Sequence, residues 1–202
     1  MSKLLLYYAH PAQRFSHTNA AMALAAQSVS NITFVDLYAE YPRHNIDADR
    51  EQARLLDHEV ILFQFPLFWY ATPSLVKEWQ DLVLEHGFAY GAGGTALDGK
   101  TMMLAITAAG SAEAYTSNGY QHYPLRTFLT PLEQTARLCK MRFPAPYVMY
   151  GSLHAVEEDR VAPHAAGYAR LLAAIRDGRY DFDAAMARDV VTFDTLPLLP
   201  EI

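Results

Sequence analysis

Five short apolar segments recur along the chain of 202 residues and limit its fold more than any other feature. Nearly continuous apolar character over about six residues is typical of a strand that helices cover on both faces. The segments read LLLYYA, ITFVDL, VILFQF, MMLAIT and PYVMYG, at residues 4–9, 32–37, 60–65, 102–107 and 146–151. We therefore predict five buried strands, one at each segment.

Helical patterns lie between these strands and after the last one. They occupy residues 17–28, 49–58, 74–85, 125–139 and 157–177. Thr72 is a candidate N-cap for the third helix, with Pro73 at its first helical position. Pro131 should kink or restart the fourth helix, because proline lacks an N–H donor. The last helix should stop at Gly178.

Strand alternating with helix five times predicts an α/β fold with a parallel sheet and right-handed crossovers. Five strands in about 175 residues suit a flavodoxin-like three-layer sandwich, with strand order 2-1-3-4-5 and helices on both faces of the sheet. We predict one such domain over residues 1–178. Residues 179–202 have little periodicity and are predicted to form an extended C-terminal arm.

The composition excludes several classes of protein. Hydrophobic residues make up 51% of the chain and charged residues 19%, and no run of 18 uncharged apolar residues occurs, which argues against a membrane-spanning or disordered chain. A formal net charge of −6 argues against nucleic-acid binding, which needs a basic surface. The single Cys139 cannot form an internal disulfide, and a buried thiol there suits a reducing compartment.

The segment GTALDGKT at residues 94–101 matches the phosphate-loop pattern G-x-x-x-x-G-K-[ST] of nucleotide triphosphatases. A working phosphate loop follows a strand and opens a helix, so that backbone N–H groups converge on the phosphates. Here a predicted helix precedes the segment and a predicted strand follows it. The sequence therefore predicts a permissive loop from helix to strand and no ATP or GTP site.

In a doubly wound sheet, ligands bind outside the carboxyl ends of the strands. Three loops leave those ends, at residues 10–19, 66–73 and 107–115. The first has no G-x-G-x-x-G motif but offers hydroxyl and N–H groups at a helix start, where a phosphate can bind. Its candidate binding residues are His10, Ser16, His17, Thr18 and Asn19. Two other interpretations stay open: Ser16 as a helix cap, and packing roles for histidines that lack the further ligands of a metal site.

The second loop carries a Phe-Trp-Tyr run at residues 68–70, directly after a strand. Such a run either belongs to the core or contacts a flat aromatic ligand. The third loop carries small residues at 108–110, which let the backbone approach a ring closely. A phosphate at one loop and a planar ring between the other two describe flavin mononucleotide (FMN).

At these loops the chain resembles the flavodoxin-like NAD(P)H:quinone oxidoreductases, and especially the ancillary proteins of the glutathione-regulated Kef potassium-efflux systems. The resemblance extends to about residue 177, and five segments carry it jointly. They read LLLYYAHP, VDLYAEYPRHNID, FQFPLFWYATPSLVKEW, GFAYGAGGTALDGK and NGYQHYP. The resemblance implies an NAD(P)H dehydrogenase (quinone) that takes electrons from NAD(P)H and binds FMN in preference to FAD.

The resemblance also implies roles for individual residues. His10 and the residues from Ser16 to Asn19 would surround the flavin phosphate and ribityl chain. The isoalloxazine ring would be lined by Leu67, Phe68, Trp69, Tyr70, Thr107, Ala108, Ala109 and Gly110. Family members usually read T-T-G-G at the last four of these positions, where this chain reads T-A-A-G, with one hydroxyl and one glycine fewer.

Tyr115 and His122 would be catalytic, since the quinone reductases use a Tyr and a His after this turn to stabilise charge on the reduced flavin. Tyr115 matches in position, whereas Gln121 stands at the histidine position and His122 follows one residue later. The alternative interpretation of His122 is a surface histidine beside a dimer interface.

Two functions follow from the resemblance. The first is two-electron reduction of quinones or related electrophiles by a ping-pong hydride transfer, at sites formed in a homodimer. The second is regulation by an ancillary subunit that has little turnover of its own and docks on a potassium–proton antiporter. Both imply a cytoplasmic protein, and the second implies peripheral attachment to the cytoplasmic face of the inner membrane.

Overall fold

A parallel sheet forms the centre of the protein, and the computed structural model describes residues 2–11 and 16–200. The strands are β1 (Leu4–Tyr8), β2 (Thr33–Asp36), β3 (Val60–Pro66), β4 (Thr101–Thr107) and β5 (Tyr147–Met149). They lie in the order β2-β1-β3-β4-β5, and every neighbouring pair is parallel. The predicted fold class and strand order are confirmed, and the strand ends differ from the predicted ones by no more than two residues.

The described helices are α1 (Thr18–Gln27), α2 (Leu37–Glu40), α3 (Ala48–Leu56), α4 (Ser74–Val83), α5 (Leu125–Phe128), α6 (Thr130–Leu138), α7 (Val161–Arg176) and α8 (Phe182–Met186). The predicted helix 125–139 is thus two helices, and the second starts one residue before Pro131, in agreement with the predicted restart. Pro73 occupies the N-cap position of α4 and Thr72 does not cap it, so that prediction is wrong. Within the described ranges, no helix is long and apolar enough to cross a membrane.

Both faces of the sheet are packed, because successive side chains of a strand point to opposite sides. Leu5 and Tyr7 of β1 belong to a core that α3, α4 and α6 cover. Leu4, Leu6 and Tyr8 of the same strand belong to a second core, against α1 and α7. Since burial on both faces calls for apolar residues at every position, the strands read as continuous apolar segments.

A carboxylate lies inside the first of these cores. Glu51 of α3 is 0% exposed, and the hydroxyl of Tyr41 and the indole N–H of Trp79 donate to it at 2.6 and 3.0 Å. The hydroxyl of Tyr7 and the guanidinium of Arg54 donate to it as well. Burial raises the pKa of Tyr7 far above its usual range, so this phenol stays protonated and donates. The carboxylate therefore joins α3 to β1, to the end of α2 and to α4.

The C-terminal segment packs against the edge of the sheet, so the predicted extended arm is wrong for the described residues 179–200. This segment contains the helix α8. Beyond it, the N–H of Val191 donates to the carbonyl of Pro146, and its carbonyl accepts from the N–H of Val148, each at 2.8 Å. Since β5 is an edge strand, Val191 covers backbone groups that another chain could otherwise pair with.

The segment GTALDGKT follows α4 and its last residue, Thr101, begins β4, in the order that the sequence predicts. Lys100 donates from Nζ to the carbonyl oxygens of Leu56 and His58, at 3.1 and 2.6 Å. This lysine is therefore tied to the end of α3. A helix before the segment and a strand after it are the reverse of what a phosphate loop needs.

A histidine is buried in the second core. His164 of α7 is 1% exposed, and its ring stacks on that of Tyr147, with centroids 4.5 Å apart. Its Nε2 has no hydrogen-bond partner among the described residues. Burial, with a smaller contribution from the charge of Arg160, lowers the pKa of His164 to about 4. The folded protein therefore holds this imidazole neutral near pH 7.

We expect the free energy of unfolding to fall as the pH decreases from about 6.5 to about 4. In this window the unfolded chain binds a proton at His164 that the folded protein does not bind, so the unfolded state gains stability. The contribution of neutral His164 to the free energy of unfolding is fully present above about pH 6.5. At pH 4, about 3 kcal/mol of it is lost. Urea unfolding between pH 4 and 7 should show a weaker pH dependence for His164→Phe, which keeps a ring in the stack. Equal pH dependence for the two proteins would contradict the prediction.

Candidate functional site

The carboxyl ends of β1, β3 and β4 meet at one edge of the sheet, beside a cavity of about 240 Å³. All five candidate residues of the first loop line this cavity, as do Leu67 and Phe68 of the second loop and Thr107 and Ala109 of the third. Residues 12–15 of the first loop lie outside the described part of the chain. The structure thus brings together the three loops that the sequence predicts to bind a ligand.

The first loop leads into α1 at this cavity. His17 is at the N-cap position and no side chain caps the helix, so the alternative role of Ser16 as a cap is wrong. Thr18 is 5% exposed, and its Oγ1 has no hydrogen-bond partner among the residues that the structure describes. The first N–H groups of a helix are unpaired within it, and the helix dipole is positive at that end. A buried, unpartnered hydroxyl beside them fits an anionic oxygen such as that of a phosphate.

His10 follows β1 and is 6% exposed. Its ring meets the ring of Phe68 edge-on, with centroids 5.7 Å apart. Burial lowers the pKa of His10, so the imidazole is neutral near pH 7 and offers hydrogen bonding rather than charge. Among residues 2–11 and 16–200, no three His, Cys, Asp or Glu side chains are grouped to hold a metal ion.

A chain of hydrogen bonds runs from β3 through α1 to the end of β4. Gln64 is 0% exposed and donates from Nε2 to the backbone oxygen of Asn19 at 2.9 Å and to its Oδ1 at 3.3 Å. Asn19 donates from Nδ2 to Oγ1 of Thr107 at 2.6 Å. Gln64 is not among the predicted site residues, although a polar residue within the apolar segment VILFQF is a signal that could have identified it.

The aromatic run of the second loop lies in a tight turn at the protein surface. The N–H of Ala71 donates to the carbonyl of Phe68 at 3.0 Å, and φ is positive at both central residues, 48° at Trp69 and 64° at Tyr70. Such a turn favours Asn-Gly, because bulky residues are strained at positive φ. Trp69 is 92% exposed, and Phe68 and Tyr70 are each 45% exposed. The interpretation of this run as core is therefore wrong, and strain of this kind is common at binding sites.

We expect Trp69→Asn to leave the free energy of unfolding unchanged, or to raise it by up to about 1 kcal/mol. The exposed indole makes little packing contribution, and asparagine adopts positive φ more readily. If this residue contacts a flat ligand, the same substitution weakens FMN binding by about tenfold, which corresponds to one lost aromatic contact. Urea unfolding and quenching of flavin fluorescence measure the two effects. A destabilised variant with unchanged FMN affinity would show that Trp69 is structural.

The turn after β4 is held by the segment that follows β5. The N–H of Gly151 donates to the carbonyl of Gly110 at 2.8 Å, and the N–H of Ser152 donates to the carbonyl of Ala108 at 3.0 Å. In a trans peptide the carbonyl and the next N–H point in opposite directions. The N–H groups of Ala109 and Ser111 therefore point away from this segment, as a ligand-binding turn requires.

The segment after β5 also forms one wall of the cavity, and the sequence did not indicate it. Ser152, Leu153 and Val156 line the cavity, and Leu153 is 73% exposed. Arg160 holds the start of this segment, since its guanidinium donates to the carbonyls of Tyr150 and Gly151 at 2.8 and 2.9 Å. These residues reach the site only because β5 lies beside β4, so no local pattern marks them.

Tyr115 lies behind the turn after β4. It is 7% exposed, and its ring packs against the rings of Phe128 and Tyr150, with centroids 6.0 and 5.8 Å away. A methyl group placed on Gly110 would come within 3.1 Å of Tyr115 Cε2, so the phenol is close to the turn. Burial, reinforced by Tyr70, raises the pKa of Tyr115, and the hydroxyl stays protonated.

The structure does not bring His122 to this turn. His122 is exposed, with φ of 62°, and within the described ranges its ring has no contact with Tyr115. The side-chain amide of Gln121 lies nearer, since its Nε2 is 3.6 Å from the position of a methyl group on Gly110. The geometry therefore favours Gln121 over His122 as the second group beside Tyr115.

Leu67 also lines a second cavity, of about 360 Å³. Tyr70, Phe128, Leu129 and Leu132 make its walls largely apolar. The ring of Tyr70 stacks on that of Phe128, with centroids 4.9 Å apart and an interplanar angle of 26°. Leu67 is shared by both cavities, whereas Tyr70 lines only this second one.

Comparison with known proteins identifies the family. A model described as flavodoxin-like fold matches residues 2–172. The chain belongs to the flavodoxin-like family. In line with this membership, the ancillary protein KefG of the glutathione-regulated potassium-efflux system from Cronobacter sakazakii (strain ATCC BAA-894) is 42% identical over 172 residues, which cover 85% of this chain and 93% of the relative.

Two further comparisons bear on the chemistry of this flavodoxin-like protein. The uncharacterized NAD(P)H oxidoreductase YrkL from Bacillus subtilis (strain 168) is 41% identical over 157 residues, which cover 78% of this chain and 90% of the relative. The crystal structure of general stress protein 14 from Treponema denticola in complex with FMN has a TM-score of 0.77 and 32% identity. That comparison covers 87% of this chain and 98% of the other.

Proposed function

We propose that the protein is an FMN-dependent NAD(P)H oxidoreductase that reduces quinones or related electrophiles. One observation carries the proposal: the start of α1, with the unpartnered hydroxyl of Thr18, and the turn after β4 share one cavity. The start of α1 is complementary to the phosphate of a ligand, and the turn after β4 is complementary to a flat ring of the same ligand. The FMN-bound structural relative and the relative named an NAD(P)H oxidoreductase support the same conclusion.

The residues present fit FMN at both ends of the cavity. The first turn of α1, with Ser16, Thr18 and Asn19, would hold the phosphate and the start of the ribityl chain. The N–H groups of Ala109 and Ser111, which point away from the segment after β5, would hold the edge of the ring. Because these donors are backbone groups, Ala109 can serve where relatives carry glycine, whereas the N–H of Ala108 donates to the carbonyl of Met149 at 2.8 Å.

When bound, FMN supplies hydride chemistry that amino-acid side chains lack. Leu67, Phe68 and Val156 give the cavity apolar walls, and the protein places a protonated phenol, Tyr115, behind the turn. A neutral donor of raised pKa stabilises negative charge without surrendering its proton at neutral pH. Gln121, rather than His122, would provide the second hydrogen bond.

We place the electron acceptor near the stacked rings of Tyr70 and Phe128, where the second cavity adjoins Leu67. An apolar cavity with aromatic walls suits a planar quinone. NAD(P)H and the quinone would bind in turn, as a ping-pong order requires.

Exposed aromatic side chains near the site, Trp69, Tyr120 and Tyr123, favour a homodimer that covers them. If sedimentation showed that the fully active protein is a monomer, the proposed homodimer would be contradicted.

The regulatory function remains the second candidate, because KefG is 42% identical over most of the chain. In that case the protein would dock on a membrane antiporter from the cytoplasmic side, and its turnover would be incidental. The two functions differ in one measurable respect, which is whether the flavin-loaded protein turns over with a soluble acceptor.

The experiment is steady-state oxidation of NADPH by FMN-loaded protein, with 2-methyl-1,4-naphthoquinone as the acceptor. We expect NADPH consumption to depend on the quinone, with parallel double-reciprocal lines. Tyr115→Phe should lower kcat by about tenfold, as expected for loss of one hydrogen bond made in the transition state. If the protein retains FMN but consumes no NADPH in the presence of the quinone, the result would contradict the proposed enzymatic activity and favour the regulatory function.

A further inference from the structure

We propose that Gln64 is a positioning residue that makes the hydroxyl of Thr107 a hydrogen-bond donor toward the group bound in the cavity. Gln64 does not line the cavity and acts through Asn19. The inference rests on the proposed FMN function. It adds which partner donates the hydrogen bond between Thr107 and the flavin. An acceptor atom of the flavin ring or ribityl chain, and not a donor, must face Thr107.

The first step is the orientation of the Gln64 side-chain amide. Its Nε2 lies 2.9 Å from the backbone oxygen of Asn19, an atom that can only accept a hydrogen bond. A reversed amide would place two oxygen atoms in contact. The NH₂ group of Gln64 therefore faces Asn19, and its Oε1 faces away, where it has no partner among the described residues.

The second step follows for Asn19. Its side-chain oxygen lies 3.3 Å from Nε2 of Gln64 and accepts from it. If the Asn19 amide were reversed, two NH₂ groups would face each other. The Asn19 NH₂ group therefore points to Oγ1 of Thr107, at 2.6 Å. One donor in the sheet thus determines the direction of both bonds.

The third step concerns the hydroxyl of Thr107. Its oxygen already accepts from Asn19, so its hydrogen must go to a different acceptor. The backbone carbonyl of the same residue is occupied by the N–H of Leu67 at 2.9 Å. Thr107 lines the cavity, and an acceptor there is the natural partner of this hydrogen.

Stability does not explain a glutamine at position 64. Its Oε1 is a buried acceptor without a partner in the described chain, and such groups destabilise a fold. Its neighbours in register on the adjacent strands are Tyr8 and Ala105, and an apolar side chain would suit this layer. A destabilising polar group whose hydrogen bonds lead to a residue that lines a cavity is expected where it serves binding.

The test compares FMN dissociation constants, from quenching of flavin fluorescence, for Gln64→Leu, Thr107→Val and the double variant. In Gln64→Leu the Asn19 amide is free to reverse, and Thr107 then donates to Asn19 instead of the flavin. We expect each single variant to weaken binding by about tenfold, the effect of one hydrogen bond. The double variant should bind no more weakly than the singles, because both remove the same bond. Gln64→Met replaces Gln64→Leu if the latter fails to fold.

Thr107→Ser is the conservative variant, since it keeps the hydroxyl, and it should restore most of the FMN affinity that Thr107→Val loses. The apo forms of Gln64→Leu and the unaltered protein should melt within a few degrees of each other. A double variant weakened about a hundredfold would show independent effects and overturn the inference, as would unchanged affinity in either single variant. Failure of the unaltered protein to bind FMN would instead overturn the proposed function on which the inference rests.

Discussion

Replacing Glu51 with alanine is expected to lower the free energy of unfolding by about 3 to 5 kcal/mol, the usual effect of removing one partner from a buried ion pair. The substitution leaves the hydroxyls of Tyr7 and Tyr41 and the indole N–H of Trp79 without their acceptor inside the core. It also removes the buried counter-charge of Arg54, whose side chain is 19% exposed. Because these donors come from several elements, the loss should affect the whole fold and not one helix.

Glu40→Ala is the matched control for this prediction. Glu40 pairs with Arg50 and Arg54 near the surface, where its side chain is 24% exposed. Partly exposed ion pairs contribute about 1 kcal/mol or less, so this variant should unfold almost as the unaltered protein does. Urea unfolding followed by circular dichroism gives both values. If the two variants lost similar amounts of unfolding free energy, the buried network around Glu51 would stabilise the fold no more than a surface ion pair does.

The second large effect is expected for Ser16→Asp, which should weaken FMN binding by roughly a hundredfold or more and leave riboflavin binding nearly unchanged. Ser16 lines the cavity at the start of α1, where the phosphate is placed. Two unit negative charges about 4 Å apart repel by about 4 kcal/mol near a protein surface, and riboflavin carries no phosphate. The carboxylate should not destabilise the fold, because acidic side chains are favourable near helix N-termini.

Ser16→Asn supplies the neutral control of the same size, and it should weaken FMN binding far less than Ser16→Asp does. Fluorescence quenching titrations with FMN and riboflavin measure the two affinities side by side. If Ser16→Asp weakened both flavins equally, the aspartate would act through the shape of the loop. The phosphate would then have to lie elsewhere than at α1.

The sheet could be predicted from the sequence because its constraint is local. Burial on both faces leaves a continuous apolar segment, and β1, β3 and β4 show one. Short helices, which form because of a few local interactions, were harder to predict. Asp36, whose side chain accepts from the N–H groups of Tyr38 and Ala39, starts the four-residue helix α2 at the last residue of a segment that reads as a strand. The helix α8 has too little periodicity to be recognised before its packing is known.

The candidate site was predictable where it depends on the ends of strands, and not where it depends on contacts across the sheet. The three loops follow β1, β3 and β4, so their meeting at one edge follows from the strand order. Leu153 and Val156 enter the same cavity through the neighbouring strand β5, which no spacing in the sequence reveals. The exchange of His122 for Gln121 depends on how one exposed loop folds back on Gly110.

The central claim is that the cavity at the carboxyl edge holds FMN. The most direct test is the visible absorption spectrum of the protein after mixing with FMN and desalting. We predict that flavin bands persist, at close to one flavin per chain, and that they bleach when NADPH is added. A colourless protein after desalting, with no retained FMN, would contradict the claim.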